Sequence, residues 1–421
     1  MKAVILAAGE GVRMRPLTSS RSKHMIKLAG KPILEYVLLT LRASGIKEAA
    51  VVVGYKEDLI RNFFGDGSKF GIQLDYIIQS KVSGTADAIG LTEKYVGDED
   101  FLTVYGDLLI NPESMRSIFR KHRKGAAATM GVVPVKQPEQ YGVVEVENGK
   151  VINIIEKPIV GETETNLVNA AIYIFSSKIF EKIKKTKYSQ RKELEITDSI
   201  RYLIEDKMRV NAAEIKPENW IDIGRPWDLI GANKMVLQDT KLEIKGEIED
   251  GVHINGPIGL GERSRLRSGT YIEGPVFIDE DCNIGPNCYI RPYTSIGKNV
   301  RIGNACEIKS SLIMDQTHIA HLSYVADSVI GEGCNLGAGV ITANLRFDDK
   351  PVKVKIKEEL INSELKKLGV FMGDNVKVGI NVSFMPGVKI GSNTWIGPGM
   401  VIYRDVPDGK KELPQVITEK K

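Results

Sequence analysis

The sequence predicts two architectures in tandem: an α/β domain over residues 1–236, then a parallel β-helix over residues 237–421. Three observations predict them. Strand-like and helix-like stretches alternate through the first half. An aliphatic residue recurs every six positions through the second. A glycine-rich turn follows the first strand, at the end of an α/β sheet where ligands sit.

Composition narrows the function. Lys plus Arg number 58 and Asp plus Glu 54, a net charge of +4 over 421 residues. That balance excludes a protein that grips nucleic acid by charge. No run of about 18 apolar residues exists to suggest a transmembrane helix. The opening MKAVILAAGEGVRM reads as a strand entering a loop and not as a signal peptide. Four cysteines without a CxxC pair offer neither a disulfide framework nor a zinc site. A reducing, cytoplasmic setting is the expectation.

In the first half, strands are predicted at 3–8, 50–54, 74–78, 101–105, 127–133, 143–146 and 171–175. Helices are predicted at 33–44, 57–63, 86–95, 112–121 and 227–237. Their alternation implies a mainly parallel sheet.

In the second half the repeat runs Leu242, Ile248, Ile254, Leu260, Leu266, Ile272, Ile278, Ile284, Ile290, Ile296, Ile302 and Ile308. If aliphatic residues fill about a quarter of positions, such a run has a chance probability on the order of 10⁻⁷. It slips by one residue to Ile313, Ile319 and Val325, slips again to Ile330 and Leu336, and returns at Met372, Val378, Phe384, Ile390, Ile396 and Ile402. A period of six fits a short strand plus a tight corner, three per turn of a prism, with one aliphatic side chain inside each face. Cys282, Cys288, Cys306 and Cys334 all fall four places after a repeat aliphatic, a slot shared with Thr270, Thr294, Val300, Val340, Val382 and Thr394. The cysteines are therefore read as inward packing residues. Residues 348–369 interrupt the repeat. Ile356, Leu360, Ile361, Leu365 and Leu368 have helical spacing there, which predicts a helix over the side of the prism or a subunit contact.

The turn after the first strand is Leu6-Ala7-Ala8-Gly9-Glu10-Gly11-Val12-Arg13-Met14. Its backbone amides suit phosphate. Met14 breaks a dinucleotide fingerprint, and no GxxxxGKS/T loop exists. The wider string LAAGEGVRMRPLTSSRSKHMIKLAGKPILEYVL closely resembles the signature LAAGxGTRMxPLTxxxPKxLxxxxGKP of the sugar-1-phosphate nucleotidylyltransferases. Val12 stands where that pattern has Thr, and Ser22 where it has Pro, which loosens the turn before Lys23. Further marks follow in order: Gln79, Gly84-Thr85, Tyr105-Gly106-Asp107, Tyr141-Gly142-Val143-Val144, Glu156-Lys157-Pro158, Asn169, and Trp220-Ile221-Asp222-Ile223-Gly224. The resemblance implies that Leu6, Ala8, Gly9, Gln79, Gly84, Thr85 and Tyr105 line the nucleotide and that Gly142, Glu156 and Asn169 meet the sugar. It implies Mg²⁺ on Asp107 and Asp222, Arg13 on the triphosphate and Lys23 offsetting transition-state charge. The chemistry needs these types. The sugar-1-phosphate nucleophile is already anionic, so the difficulty is to join two polyanions, not to remove a proton.

The prism carries a second group. Ala320-His321-Leu322-Ser323-Tyr324, Asn335-Leu336-Gly337-Ala338-Gly339 and Thr342-Ala343-Asn344 resemble the acetyltransferase site of the bifunctional N-acetylglucosamine-1-phosphate uridylyltransferases. Arg291 and Lys309 match that family's sugar-phosphate ligands, and Lys350 and Lys353 fall in its basic loop. Ala320 replaces a glycine of the pattern. The six-residue pattern resembles the hexapeptide repeats of the left-handed parallel β-helix, which implies the handedness; the resemblance to the acetyltransferase site implies acetyl-CoA as co-substrate and a homotrimer. It implies His321 as the base that frees the amine, the side chain suited to that task near neutral pH. Arg291, Lys309 and Tyr324 would hold the sugar phosphate, Asn335 and Asn344 the amine, and the Ala338 amide the thioester oxygen.

The expected protein is a bifunctional enzyme acting on a nucleoside triphosphate, a sugar-1-phosphate and acetyl-CoA, with no nucleic-acid or membrane partner. Its first rival is a monofunctional nucleotidylyltransferase with a scaffold β-helix. A second is a non-catalytic assembly subunit, against which the presence of Arg13, Lys23, Asp107 and Asp222 argues.

Overall fold

The structure, a computed structural model, describes residues 1–159, 161–239 and 243–414. They form two compact units: Met1–Glu10 with Ile33–Asp222, and Gly11–Pro32 with the chain from Ile223 onward.

The first unit is built on a nine-stranded sheet. Strands Gln73–Ile78, Glu48–Val53, Ala3–Ala7 and Phe101–Tyr105 lie side by side and parallel. Beyond them the sheet is mixed rather than mainly parallel. Leu167–Phe175 runs antiparallel to both Phe101–Tyr105 and Ala128–Pro134, and Gly142–Glu147 and Lys150–Glu156 form an antiparallel pair at the edge. Strands at 108–110, 150–156, 210–214 and 220–222 and helices at 179–185 and 196–205 were not expected from sequence. Val4, Val52, Phe101, Tyr173 and Phe175 are fully buried in the core. Pro112–Lys121 shows why local signals work here: Asn111 caps it through Ser114 N at 2.9 Å, Pro112 opens it, and Arg120 and Lys121 close it.

The second unit is the prism, a left-handed parallel β-helix with faces of nine, eight and seven stacked strands. Register is kept coil by coil. Ile272, Ile290, Ile308 and Val325 lie level on one face, Ile284, Ile302, Ile319 and Leu336 on another, and Ile278, Ile296, Ile313 and Ile330 on the third. All are buried. Corners use the left-handed backbone at Asp281, Asn287, Tyr293, Asn299, Ala305, Ser310, Gln316, Leu322 and Asp327. The spacing shortens from six to five at Ser310 and Asp327, the same two places where the aliphatic pattern slips. All four cysteines point inside, and burial pushes the thiols of Cys282, Cys288 and Cys334 up to about 12.

Two expectations change, and Leu242 lies outside the described residues. Ile248 is 38% exposed, because its strand is the last rung of its face and has a neighbour on one side only. The interruption at 348–369 is not a helix: Lys353–Ile356 and Glu359–Asn362 form an antiparallel hairpin. Val352, Val354 and Ile356 are buried while Lys353, Lys355 and Lys357 are exposed, an alternation that only a strand can present to a flat face.

The face bearing Ser295, Leu312, Val329 and Phe371 is covered, so these outward side chains are buried. Helix Asp228–Asp239 docks there. Asn233 donates to Tyr293 O at 2.9 Å and accepts from Ser295 Oγ at 2.6 Å.

Candidate active site

In the first unit, candidate residues converge on strand ends. Leu6 is level with Val52 and Tyr105 in the sheet. Ala8 follows, its carbonyl accepting from Tyr55 N at 3.1 Å, and the backbone at Gly9 borders open space. Gln79 is buried. Its amide NH₂ donates to Asp87 Oδ2 at 2.7 Å and to Gly84 O at 3.2 Å, which commits the donor side of the amide. Gly84 has φ +121°, and a Cβ there would lie 2.4 Å from Leu194 O, so no other residue fits. Thr85 Oγ1 accepts from Ile196 N at 3.0 Å.

Tyr105, Tyr173 and Asn169 form a chain of neighbours; Asn169 Nδ2 donates to the Tyr173 hydroxyl at 2.6 Å, and the Tyr173 ring lies 6.4 Å from that of Tyr105. Burial lifts both phenols above their ordinary range, so they stay neutral donors. A register shift between Asn169 and Tyr173, with Ala171 at φ +58°, places this chain. Glu156 pairs with Gly142 across the edge strands, accepts from Thr197 Oγ1 at 3.1 Å and meets Arg191 at 3.2 Å. Asp107 is 4% exposed just beyond strand Phe101–Tyr105. Asp222 lies opposite Leu108, which brings the two aspartates into adjacent register. Trp220 anchors that strand, with Nε1 donating to Ala170 O at 3.0 Å and its ring edge-on to Tyr141.

Arg13 and Lys23 belong to the segment grouped with the second unit. Gly11, at φ +69°, folds that loop so that Thr18 Oγ1 donates to Gly11 O at 2.9 Å. Arg13 lies against Gly224, and Lys23 opens a short turn closed by Ile26 N on Lys23 O at 3.1 Å.

On the prism, one face gathers the second group. Tyr289, Glu307, Tyr324 and Ile341 are stacked rungs, and Arg291 and Lys309 follow on the same face. Arg291 pairs with Glu307 at 2.8 Å and lies over the Tyr289 ring. Lys309 meets Asp327 at 3.4 Å, and Asn344 Nδ2 donates to the same Asp327 oxygen at 2.5 Å. His321 occupies the exposed corner that leads into the Tyr324 strand; its backbone carbonyl accepts from Gly339 N and Ser323 Oγ. Asn335 is level with His318 on the neighbouring face, and Ala338 lies on the turn two residues beyond its strand. Lys353 is on the hairpin and Lys350 in the loop before it, both exposed.

Residues 2–239 match the nucleotidyl transferase family model. Residues 272–379 match the GMPPB C-terminal domain, and 369–404 the hexapeptide repeat of succinyl-transferase. The chain is similar to Bifunctional protein GlmU of Methanocaldococcus jannaschii, 45% identical over 407 residues and 96% of each chain. It is similar to a bifunctional sugar-1-phosphate nucleotidylyltransferase/acetyltransferase of Sulfurisphaera tokodaii, 42% identical over 97% of this chain and 99% of that one. The chain belongs to this bifunctional family. A Bacillus anthracis structure described as a glucose-1-phosphate thymidylyltransferase with bound sucrose covers 58% of this chain and 97% of its own, at TM-score 0.51 and 29% identity. Among the described residues no helix is long and apolar enough to cross a membrane.

Within the family reading, Asp107 and Asp222 fit a magnesium ion. It is a hard cation that takes one or two carboxylates and completes its shell with substrate phosphates and water. No group of three candidate ligands occurs among the described residues. Sequence reasoning missed Asp327, which ties Lys309 to Asn344, and Asp87, which orients Gln79. Asp327 had a faint signal, since it stands one coil after Lys309. Asp87 had none.

Proposed function

We propose that this bifunctional transferase first acetylates glucosamine-1-phosphate with acetyl-CoA and then joins the product to a uridylyl group from UTP, releasing pyrophosphate. The observation that carries the second activity is the face that bears Arg291, Lys309 and Tyr324, with the exposed His321 at its corner. A scaffold prism has no need of two cations on one face and a histidine at its edge.

For acetyl transfer, Arg291 and Lys309 hold the sugar phosphate, with Glu307 and Asp327 fixing their orientation. His321 takes a proton from the ammonium form of the amine. The free nitrogen then attacks the thioester carbonyl; a C–N bond forms and the C–S bond breaks, and the second proton, lost from nitrogen as the amide forms, passes to the sulfur so that coenzyme A leaves as thiol. Lys350 and Lys353 meet the phosphates of coenzyme A. For nucleotidyl transfer, Gln79 and Gly84 read the base, and Glu156, Asn169 and Tyr173 hold the sugar. Arg13 grips the triphosphate and Lys23 offsets charge as the phosphate oxygen attacks. Asp107 and Asp222 would hold magnesium, which would supply neutralisation of the phosphate charge. We place the enzyme in the cytoplasm as a homotrimer.

The test is a two-part assay. Thiol release is followed with glucosamine-1-phosphate and acetyl-CoA, and pyrophosphate release with UTP and N-acetylglucosamine-1-phosphate. Both are expected; EDTA should abolish the second and leave the first. Pyrophosphate release without thiol release would make the prism a scaffold.

A further inference from the structure

The segment Gly11–Pro32 carries Arg13 and Lys23, yet it belongs to the same compact unit as the β-helix. Its side chains are tied to carboxylates on four coils of the prism. Arg21 donates from Nη2 to Asp374 Oδ2 at 2.6 Å and from Nη1 to Glu332. Ser20 Oγ donates to the same Asp374 oxygen. Lys27 pairs with Asp315 at 2.5 Å, and Ser19 Oγ donates to Asp408 at 3.2 Å.

Arg21 is the centre of this set. Its side chain is 11% exposed and that of Asp374 9%. Burial works against the charge, but Asp374 and Glu332 outweigh it and hold the guanidinium above its ordinary range. The receiving corner is itself rigid. Asp374 Oδ1 accepts from Glu332 N at 2.8 Å, and Asp374 N donates to Ser392 Oγ at 3.0 Å. Gly373 leaves the room: a Cβ there would lie 3.1 Å from Pro16 Cβ and 2.5 Å from Ser392 Oγ. Arg21 is followed by Ser22, where the nucleotidylyltransferase pattern has proline, and then by Lys23. A proline would fix φ before the lysine; serine does not.

We infer that Arg21 is a positioning residue for nucleotidyl transfer: clamped by Glu332 and Asp374 of the β-helix, it holds the turn that presents Lys23. The first reaction then depends on carboxylates of the domain that carries the second. This rests on the proposed roles of Arg13 and Lys23. Small displacements of a positioned group cost up to about 100-fold in rate.

The experiment uses the full chain with Arg21→Ala, Arg21→Lys, Asp374→Asn and the double variant Arg21→Ala/Asp374→Asn. Asp374→Asn keeps Oδ1 for Glu332 N and removes the anion facing Arg21, so it tests the clamp even where Arg21→Ala folds poorly. For each, kcat and KM for pyrophosphate release, thiol release and the melting temperature are measured. The expected result is a fall of about 10- to 100-fold in nucleotidyl kcat for Arg21→Ala and Asp374→Asn. KM for UTP and thiol release should stay near wild type, Arg21→Lys should recover part of the loss, and the double variant should be no worse than Arg21→Ala. Wild-type nucleotidyl kcat in both single variants would overturn the clamp alone. So would an equal loss of both reactions with a lowered melting temperature, the mark of a merely structural ion pair. No pyrophosphate release from the wild-type chain would overturn the underlying reading, and the clamp with it.

Discussion

The two units assemble their sites by opposite routes. On the prism a site is a column. Tyr289, Glu307 and Tyr324 are rungs of one ladder because they stand one coil apart, 307 − 289 = 18 and 324 − 307 = 17 residues. In the α/β sheet no period connects Gln79, Asp107, Glu156, Asn169 and Asp222; Asn169 sits at a register shift inside its strand, and each of the others comes from a different strand end or turn. The prism therefore obtains its site from regularity. The sheet obtains its own from departures: Gly84 against Leu194, the shifted register at Asn169, and left-handed Ala171. Substitutions should respect that division.

The widest separation is expected from His321→Ala. Loss of a general base costs roughly 10²- to 10⁴-fold, so thiol release should nearly vanish while pyrophosphate release stays at wild type. A parallel fall in both would show that the two sites are not independent at this corner. Next comes Lys23→Ala, for which kcat of nucleotidyl transfer should fall by about 10²- to 10³-fold with KM for UTP little changed. A raised KM with unchanged kcat would move Lys23 from transition-state charge to simple grip. Third is the regularity itself. Ile308 is fully buried between Ile290 and Val325, and Ile308→Ala should cost about 2–5 kcal/mol of stability. Denaturant unfolding that shows no loss would mean that the coils can collapse around a missing rung.

The smallest effect sharpens the sheet side. Burial raises the Glu195 carboxyl above its ordinary range; Arg191 opposes this, and Glu156 and Glu193 add to it. A carboxyl that binds its proton more tightly when folded stabilises the chain below the raised value. That contribution is lost as pH rises from the unfolded carboxylate range through the folded one. Melting temperatures between about pH 4 and 7 should therefore decline more for wild type than for Glu195→Gln. Equal pH dependence would show that Glu195 ionises in the fold as freely as in the unfolded chain.

Much of the prism was legible because its signal is local and repeated. Each inward aliphatic, each cysteine slot and even the two slips could be counted along the chain. The hairpin at 353–362 was misjudged because two periods competed. Ile356, Leu360 and Ile361 suggested a helix, while the alternation from Val352 to Lys357 was the pattern that packed: Val352 and Val354 lie against Gly387 of the prism. In the first unit, strands flanked by clear turns were found, whereas Lys150–Glu156 and Ile196–Glu205 were not.

By itself the sequence determined the two architectures, the inside of the prism and the loop after the first strand, because steric preference and hydrophobic period act over a few residues. Only the tertiary structure decided that Asp327 would tie Lys309 to Asn344, or that Arg21 would meet Asp374, 353 residues away. Charge pairing carries no period. Which carboxylate meets which guanidinium depends on which coil comes to lie beside the loop, and that is settled by packing, not by pattern.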